Sequence, residues 1–181
     1  GEPEAGTGFG ILSDPQVKVL RRGDTYAVMT DEVRAFLREK TALIIAKANM
    51  RSTIHRRVHL DYIGVKLIDD DGRLEGELRL IGLFTATAYT GSTRLIPYIR
   101  HKVAQVLARA GFDPASHSGK ALINVLENYP RDELFQLDPG TLYGFAMEAM
   151  GLIERPRIRA LIRADRFDRF VSALIYVPKD R

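Results

Sequence analysis

The chain has 181 residues, 45% of them hydrophobic and 28% charged, with a formal net charge of +4. That length can bury a core, as one large or two small domains. The mild basic excess, mostly arginines spread along the chain, gives little footing for nucleic-acid binding, and a chain with no Cys has no disulfide framework, thiolate metal site or cysteine nucleophile. The cysteine-free composition fits a reducing compartment. No run reaches the apolar length of a membrane span, and no signal peptide is visible.

The opening GEPEAGTGFG is Gly-rich and lacks Met, and VSALIYVPKDR stops soon after its last apolar residue. Both ends read as cuts in a longer protein. Short strands are expected at Phe9–Leu12, Val17–Leu20 and Tyr26–Met29, separated by Asp14-Pro15 and Gly23-Asp24. Thr30 can cap a short helix over 31–40, with acidic residues in its first turn and Val33, Phe36 and Leu37 inward. Ala42–Ala46 is a continuous apolar run, read as a central strand. Met50–Arg57 is a basic linker.

Residues 57–89 predict one long β-hairpin whose register can be worked out on paper. Asp71-Gly72 signals a two-residue type I′ turn, because its central positions need positive φ. Folding there sets Lys66 opposite Glu77, Val65 opposite Leu78 and Ile63 opposite Leu80. One face then carries Ile63, Val65, Leu67, Leu78 and Leu80, and the other Lys66, Glu75, Glu77 and Arg79. A one-residue slip would mix the two sets. Beyond Arg79 the alternation fades through Ile81, Leu83, Phe84, Ala86 and Ala88, as in a strand entering a doubly covered interior.

After Tyr89 the period becomes helical. Leu95, Ile96, Ile99, Val103, Val106, Leu107 and Ala110 form a stripe, with Pro97 in the first turn and Gly111 as the stop. A second helix is expected from Ser118 or Gly119 to Asn128, with Ser118 as its cap. Pro130 opens the short turn PRDELF, and Asp138-Pro139 is an N-cap followed by Pro at N1, starting a helix to about Ile153. Arg157–Arg163 and Phe170–Val177 form a second hairpin around Ala164–Arg169. Strands cluster rather than alternate with helices, so parallel βαβ units are not indicated.

Several motifs fail on context. Gly6, Gly8 and Gly10 precede a strand, so phosphates would find no helix N-terminus there. Ser118-Gly119-Lys120 lacks the first glycine, with Pro114 in its place, and the Mg²⁺-ligating hydroxyl, with Ala121 in its place. Asp69-Asp70-Asp71-Gly72 lacks the alternating ligands and the distal Glu of an EF-hand. His55 and His59 are four apart near Asp61, but in a segment entering a strand they lie about 13 Å apart at roughly 3.3 Å per residue. The basic cluster Arg51, His55, Arg56 and Arg57 beside Asp61 suits a carboxylate-bearing ligand or an interdomain contact, against the plainer reading of solvated or paired surface charge. No G-x-S-x-G context or acid/base carboxylate couple stands out.

The strings ANMRSTIHRRVHLDYIGVK (48–66), GLFTATAY (82–89), SHSGKAL (116–122), ENYPRDELFQ (127–136) and DRFDRFVSALIYVPKDR (165–181) together carry a family resemblance. From about Thr41 onward the chain resembles an internal stretch of the N-terminal, non-catalytic half of the large bacterial NAD-specific glutamate dehydrogenases. The resemblance implies a cytoplasmic, homo-oligomeric parent enzyme that oxidises L-glutamate to 2-oxoglutarate and ammonia with NAD. It also implies an α+β fold with a PAS-like/ACT-like antiparallel sheet, a helical segment and a C-terminal β-hairpin. Residues 1–90 would be a PAS-like unit supported by the hairpin's apolar face, 91–155 a helical connector, and 156–181 the start of an ACT-like module.

No strand–GxGxxG–helix unit and no glutamate-binding Lys motif occurs, so no catalytic, cofactor-binding or metal-binding residue is carried over. NAD belongs to the parent enzyme, and none is expected on this stretch. The expected role is regulation or assembly, with other domains and subunits of the same enzyme as partners and an amino acid as a candidate effector. The alternatives are an amino-acid or carboxylate sensing module at Arg51, His55, Arg56, Arg57 and Asp61, or a basic nucleic-acid-binding domain. No membrane partner is expected.

Overall fold

A computed structural model of the chain describes residues 4, 6–14, 16–17, 41–54, 56–166 and 169–179. The chain divides between Leu83 and Phe84 into two compact units. Its architecture is α+β, with two small antiparallel sheets and five helices among the described residues. The strands expected at Val17–Leu20 and Tyr26–Met29 and the helix over 31–40 lie outside the described residues, apart from Val17. Phe9–Leu12 is not a strand. Gly10 takes a φ of +57° and the Ser13 hydroxyl donates to the Gly10 carbonyl, closing a single 3₁₀ turn over Gly10–Ser13, with i→i+3 bonds in place of a ladder.

In the N-terminal unit, β1 (Leu43–Arg51), β2 (His59–Ile68) and β3 (Leu74–Gly82) form a sheet in that order. The hairpin register is the one worked out from sequence: Lys66 pairs with Glu77, Val65 with Leu78 and Ile63 with Leu80. The turn differs. Gly72 alone takes a positive φ there, +80°, and the Asp69 amide donates to the Arg73 carbonyl around a three-residue loop. The ladder then steps from Ile68–Leu74 to Leu67–Gly76, leaving Glu75 as a bulge that restores the register. One glycine suffices for this loop, whereas a type I′ turn would also hold Asp71 at positive φ.

Burial in this sheet is deepest away from the apolar hairpin face. Leu78 and Leu80 are 55% and 53% exposed, while Ile44, Ala46, Ala48 and Tyr62 are buried. Ala46 lies opposite Tyr62 and Ile44 opposite Gly64, so small residues leave room for the ring. A Cβ at Gly64 would overlap the Tyr62 hydroxyl end and the Glu77 carboxylate, which is why a glycine stands mid-strand. The strand ends at Gly82, and the apolar residues beyond it turn into α1 (Ala86–Thr90) instead of extending the sheet.

The C-terminal unit contains α1, α2 (Ile99–Ala110), α3 (His117–Asn128), α4 (Arg131–Gln136) and α5 (Pro139–Glu154), then the hairpin β4 (Arg159–Ala164) and β5 (Val171–Tyr176). The stripe of α2 buries Ile99, Val103 and Val106 against the other long helices, α3 through Leu122 and Leu126, α5 through Leu142, Ala146 and Ala149. The helix starts at Ile99, not Leu95, because Tyr98 takes a φ of +68° just after Pro97. Gly111, with φ +66°, closes it as an αL cap. The cap of α3 is Ser116, two residues earlier than expected, and its hydroxyl accepts the Gly119 amide. Asp138 caps α5 as expected, accepting the Gly140 and Thr141 amides with Pro139 at the first turn. In the terminal hairpin Leu161 opposite Leu174 lies on one face and Ile162 opposite Ala173 on the other.

Candidate functional site

The strand pairing sorts the predicted basic cluster. Lys47 lies opposite Asp61 across β1 and β2, and its ammonium meets the buried carboxylate at 2.6 Å. The sequence places that carboxylate beside Arg51, Arg56 and Arg57, and Lys47 is a partner that only the strand pairing reveals. Arg51 ends β1 beside His59 and donates its Nε–H to His59 Nε2 at 3.3 Å. This leaves Nδ1 as the protonated nitrogen, directed to the Ala48 carbonyl at 3.0 Å. Both ring nitrogens of His59 are therefore engaged by protein atoms. Arg56 and Arg57 are exposed in the loop before β2. His55 lies outside the described residues. Among the described residues no group of three His, Cys, Asp or Glu side chains could hold a metal ion.

One heavily engaged buried charge does not stand out in the sequence reading. Lys102 sits in α2 at 5% exposure, and its Nζ donates to the carbonyls of Leu134 (2.9 Å), Phe135 (2.8 Å) and Leu137 (2.6 Å). These are orphan carbonyls at the C-terminal end of α4, so the lysine acts as its cap from another helix. Burial first, then the nearby Arg166 and Arg163, pull its pKa down to about 7, against Asp138, which raises it. Three acceptors occupy all three donors of an ammonium, and the Tyr98 ring faces it at 4.4 Å. The signal was present in the sequence: Lys102 falls between Ile99 and Val103, inside the apolar stripe, where a cation needs buried partners.

Two carboxylates then tie elements together. Glu127 on α3 accepts the Ser92 hydroxyl at 2.7 Å and the Thr93 amide at 3.0 Å, with Arg131 at 3.7 Å. Burial pushes its carboxyl up, but those hydrogen bonds and Arg131 outweigh it and hold the group below the usual range. Glu133 on α4 takes Arg163 of β4 bidentately at 2.6 and 3.0 Å and also accepts the Ser172 hydroxyl of β5 at 2.8 Å. Both strands of the terminal hairpin are thereby fixed to one helical carboxylate, a geometry that favours Arg over Lys. Within the hairpin turn, Asp165 is held bidentately by Arg169. Phe84 stacks on Phe135, with centroids 4.4 Å apart, at the foot of the same helix.

Residues 96–155 match the family described as glutamate dehydrogenase, helical motif 1, and residues 159–181 the one described as glutamate dehydrogenase, ACT2 domain. The chain is 45% identical over 135 residues to an NAD-specific glutamate dehydrogenase of Halomonas elongata, covering 75% of this chain and 8% of that protein. It is 43% identical over 150 residues to the one of Pseudomonas aeruginosa, covering 83% and 9%. It is 34% identical over 139 residues to the one of Mycobacterium tuberculosis, covering 77% and 8%. The chain thus spans under a tenth of the length of these relatives.

Proposed function

We propose that this chain, which is kin to an internal stretch of the large NAD-specific glutamate dehydrogenases, serves such an enzyme as a regulatory and assembly segment and not as part of its catalytic wall. The parent enzyme would oxidise L-glutamate to 2-oxoglutarate and ammonia, with NAD held by other domains. The observation that carries this reading is the joint at Glu133, where one partly buried carboxylate fixes both strands of the hairpin to the helical block. A rigid joint of that kind transmits orientation from one module to the next. Its effect on a distant catalytic domain would be a coupling free energy, typically about 1–3 kcal/mol.

The partners in this reading are other domains and other subunits of the same cytoplasmic homo-oligomer. Residues 1–90 act as a PAS-like sheet unit, 91–155 as the connector, and 156–181 as the entry to an ACT-like module. Purified chain given L-glutamate and NAD is expected to form no NADH, and glutamate-dependent NADH formation would refute the reading. No helix among the described residues is long and apolar enough to cross a membrane.

Sensing of an amino acid or carboxylate at Arg51, His55, Arg56 and Arg57 is a second reading, supported by the exposure of Arg56 and Arg57. Calorimetry with an amino-acid panel on the chain and on Arg56→Ala tests it. Heat that Arg56→Ala abolishes supports it, and no heat with any of the panel refutes it.

A further inference from the structure

The C-terminal unit holds a cleft of about 410 Å³ between α3, α5 and β5. Its walls are apolar, with Val125 from α3, Leu152 from α5 and Leu174 from β5. Three polar groups on the same cleft have no hydrogen-bond or ion-pair partner among the described residues: the Tyr129 and Tyr176 hydroxyls and the Arg157 guanidinium. Tyr129 is only 4% exposed. Its ring is buried, but its hydroxyl is not one of the buried side-chain atoms without a partner, so it keeps access to solvent and can donate to a ligand in the cleft. Burial pushes the phenols of Tyr129 and Tyr176 upward, which keeps both as donors at neutral pH.

We propose that this cleft binds a small apolar monocarboxylate, its tail against Val125, Leu152 and Leu174 and its carboxylate on Arg157 and the two tyrosine hydroxyls. The volume lies within the range of small-ligand sites, roughly 300–1,000 Å³, and an apolar wall with a few convergent polar groups is their usual chemistry. The choice of headgroup follows from charge. The lining residues include a cation and two phenols but no Asp or Glu. A carboxylate is matched there, whereas the ammonium of an amino acid has no carboxylate to meet and would lie near Arg157. The proposal rests on the cleft and not on the regulatory reading: binding without any effect on a dehydrogenase would leave the site standing and count against that reading alone.

Hexanoate, norleucine and hexanol separate the groups, since norleucine adds an ammonium to hexanoate and hexanol removes the carboxylate. Calorimetry and amide-resolved NMR titration of the chain should show saturable hexanoate binding, with a dissociation constant on the order of 1 mM for so small a ligand. Shifts should centre on Asn128, Tyr129 and Tyr176. Arg157→Gln, at an exposed position, should weaken binding at least roughly tenfold, the size of one lost charge-assisted contact. Tyr176→Phe should weaken it about threefold, as expected for one neutral hydrogen bond. Norleucine and hexanol should both bind more weakly than hexanoate.

The proposal is overturned if hexanoate does not saturate, if Arg157→Gln leaves its affinity unchanged, or if norleucine binds more tightly. Self-association that covers the cleft and excludes hexanoate would also overturn it, by making the cleft a contact between copies.

Discussion

Replacing Lys102 by Met keeps a long unbranched stem in the α2 stripe and removes only the ammonium. The three carbonyls at 2.6–2.9 Å from Nζ then lose their donor in a buried place. Each unsatisfied acceptor costs about 1–3 kcal/mol, so the gross loss is roughly 3–9 kcal/mol. Relief from burying a charge offsets several kcal/mol of this. A net loss of about 3 kcal/mol remains, the size found when a buried charged partner is removed.

In the C-terminal unit, 84–181, that corresponds to a Tm drop of about 12–24 °C. The surface variant Lys120→Met in α3 is the control, expected to stay within about 0.5 kcal/mol. Urea denaturation of both variants gives the comparison. The pH dependence carries a defined sign. Burial pulls folded Lys102 down to about 7 while the unfolded lysine keeps its ordinary value of 10.5, so between those values the unfolded chain binds more protons. Stability of the wild type therefore rises from pH 7 towards 10.5 and is lost as pH falls back to 7, by up to about 1.4 kcal/mol per unit relative to Lys102→Met. A loss under about 1 kcal/mol at neutral pH, below the least that one orphaned carbonyl should cost, would refute the capping role of Lys102. A flat difference between wild type and variant across pH 7–9 would refute the burial argument.

Glycine substitutions within helices should diverge in sign. A Cβ at Gly119 would overlap the Asp113 carbonyl, so Gly119→Ala should destabilise by about 1–3 kcal/mol despite its better helix propensity. Gly144, mid-α5 with open space around it, should instead gain about 1 kcal/mol as Ala. Thermal melts of the two variants check both signs. Asp138→Ala removes the α5 cap and should cost about 1 kcal/mol at neutral pH. Burial pushes the Asp138 carboxyl up, but hydrogen bonds from Thr141 and Gly140 outweigh it and hold it below the usual range. The cap's contribution is therefore present above the unfolded pKa and disappears as pH falls through the folded one. Denaturation of this variant at neutral and acid pH should show its cost vanishing in acid.

Local chemistry was the readable part of this sequence. The hairpin register followed from Gly72 and the alternation of Lys66, Glu77, Val65 and Leu78, and the α2 and α5 ends from Gly111 and Asp138-Pro139, because each rests on residues near in sequence. What failed needed information from elsewhere in the fold. The bulge at Glu75 depends on how loop and ladder share one glycine. The deeply buried positions of the first sheet depend on β1 bringing Ala46 and Ile44 beside Tyr62 and Gly64. Lys47 could be matched to Asp61 only once the strands were paired. The Glu133–Arg163 link spans 30 residues, beyond any local pattern.

The proposed role in organisation is tested most directly in an NAD-specific glutamate dehydrogenase carrying this segment with Arg163→Gln, which opens the joint at Glu133. The measurement is steady-state kinetics alongside the mass and thermal stability of the assembled enzyme. The predicted result is a less stable or smaller assembly together with Michaelis constants for glutamate or NAD shifted by roughly 5–150-fold, the span of a coupling of about 1–3 kcal/mol. Unchanged kinetics, mass and stability would contradict it, by leaving the joint without a role in assembly or regulation.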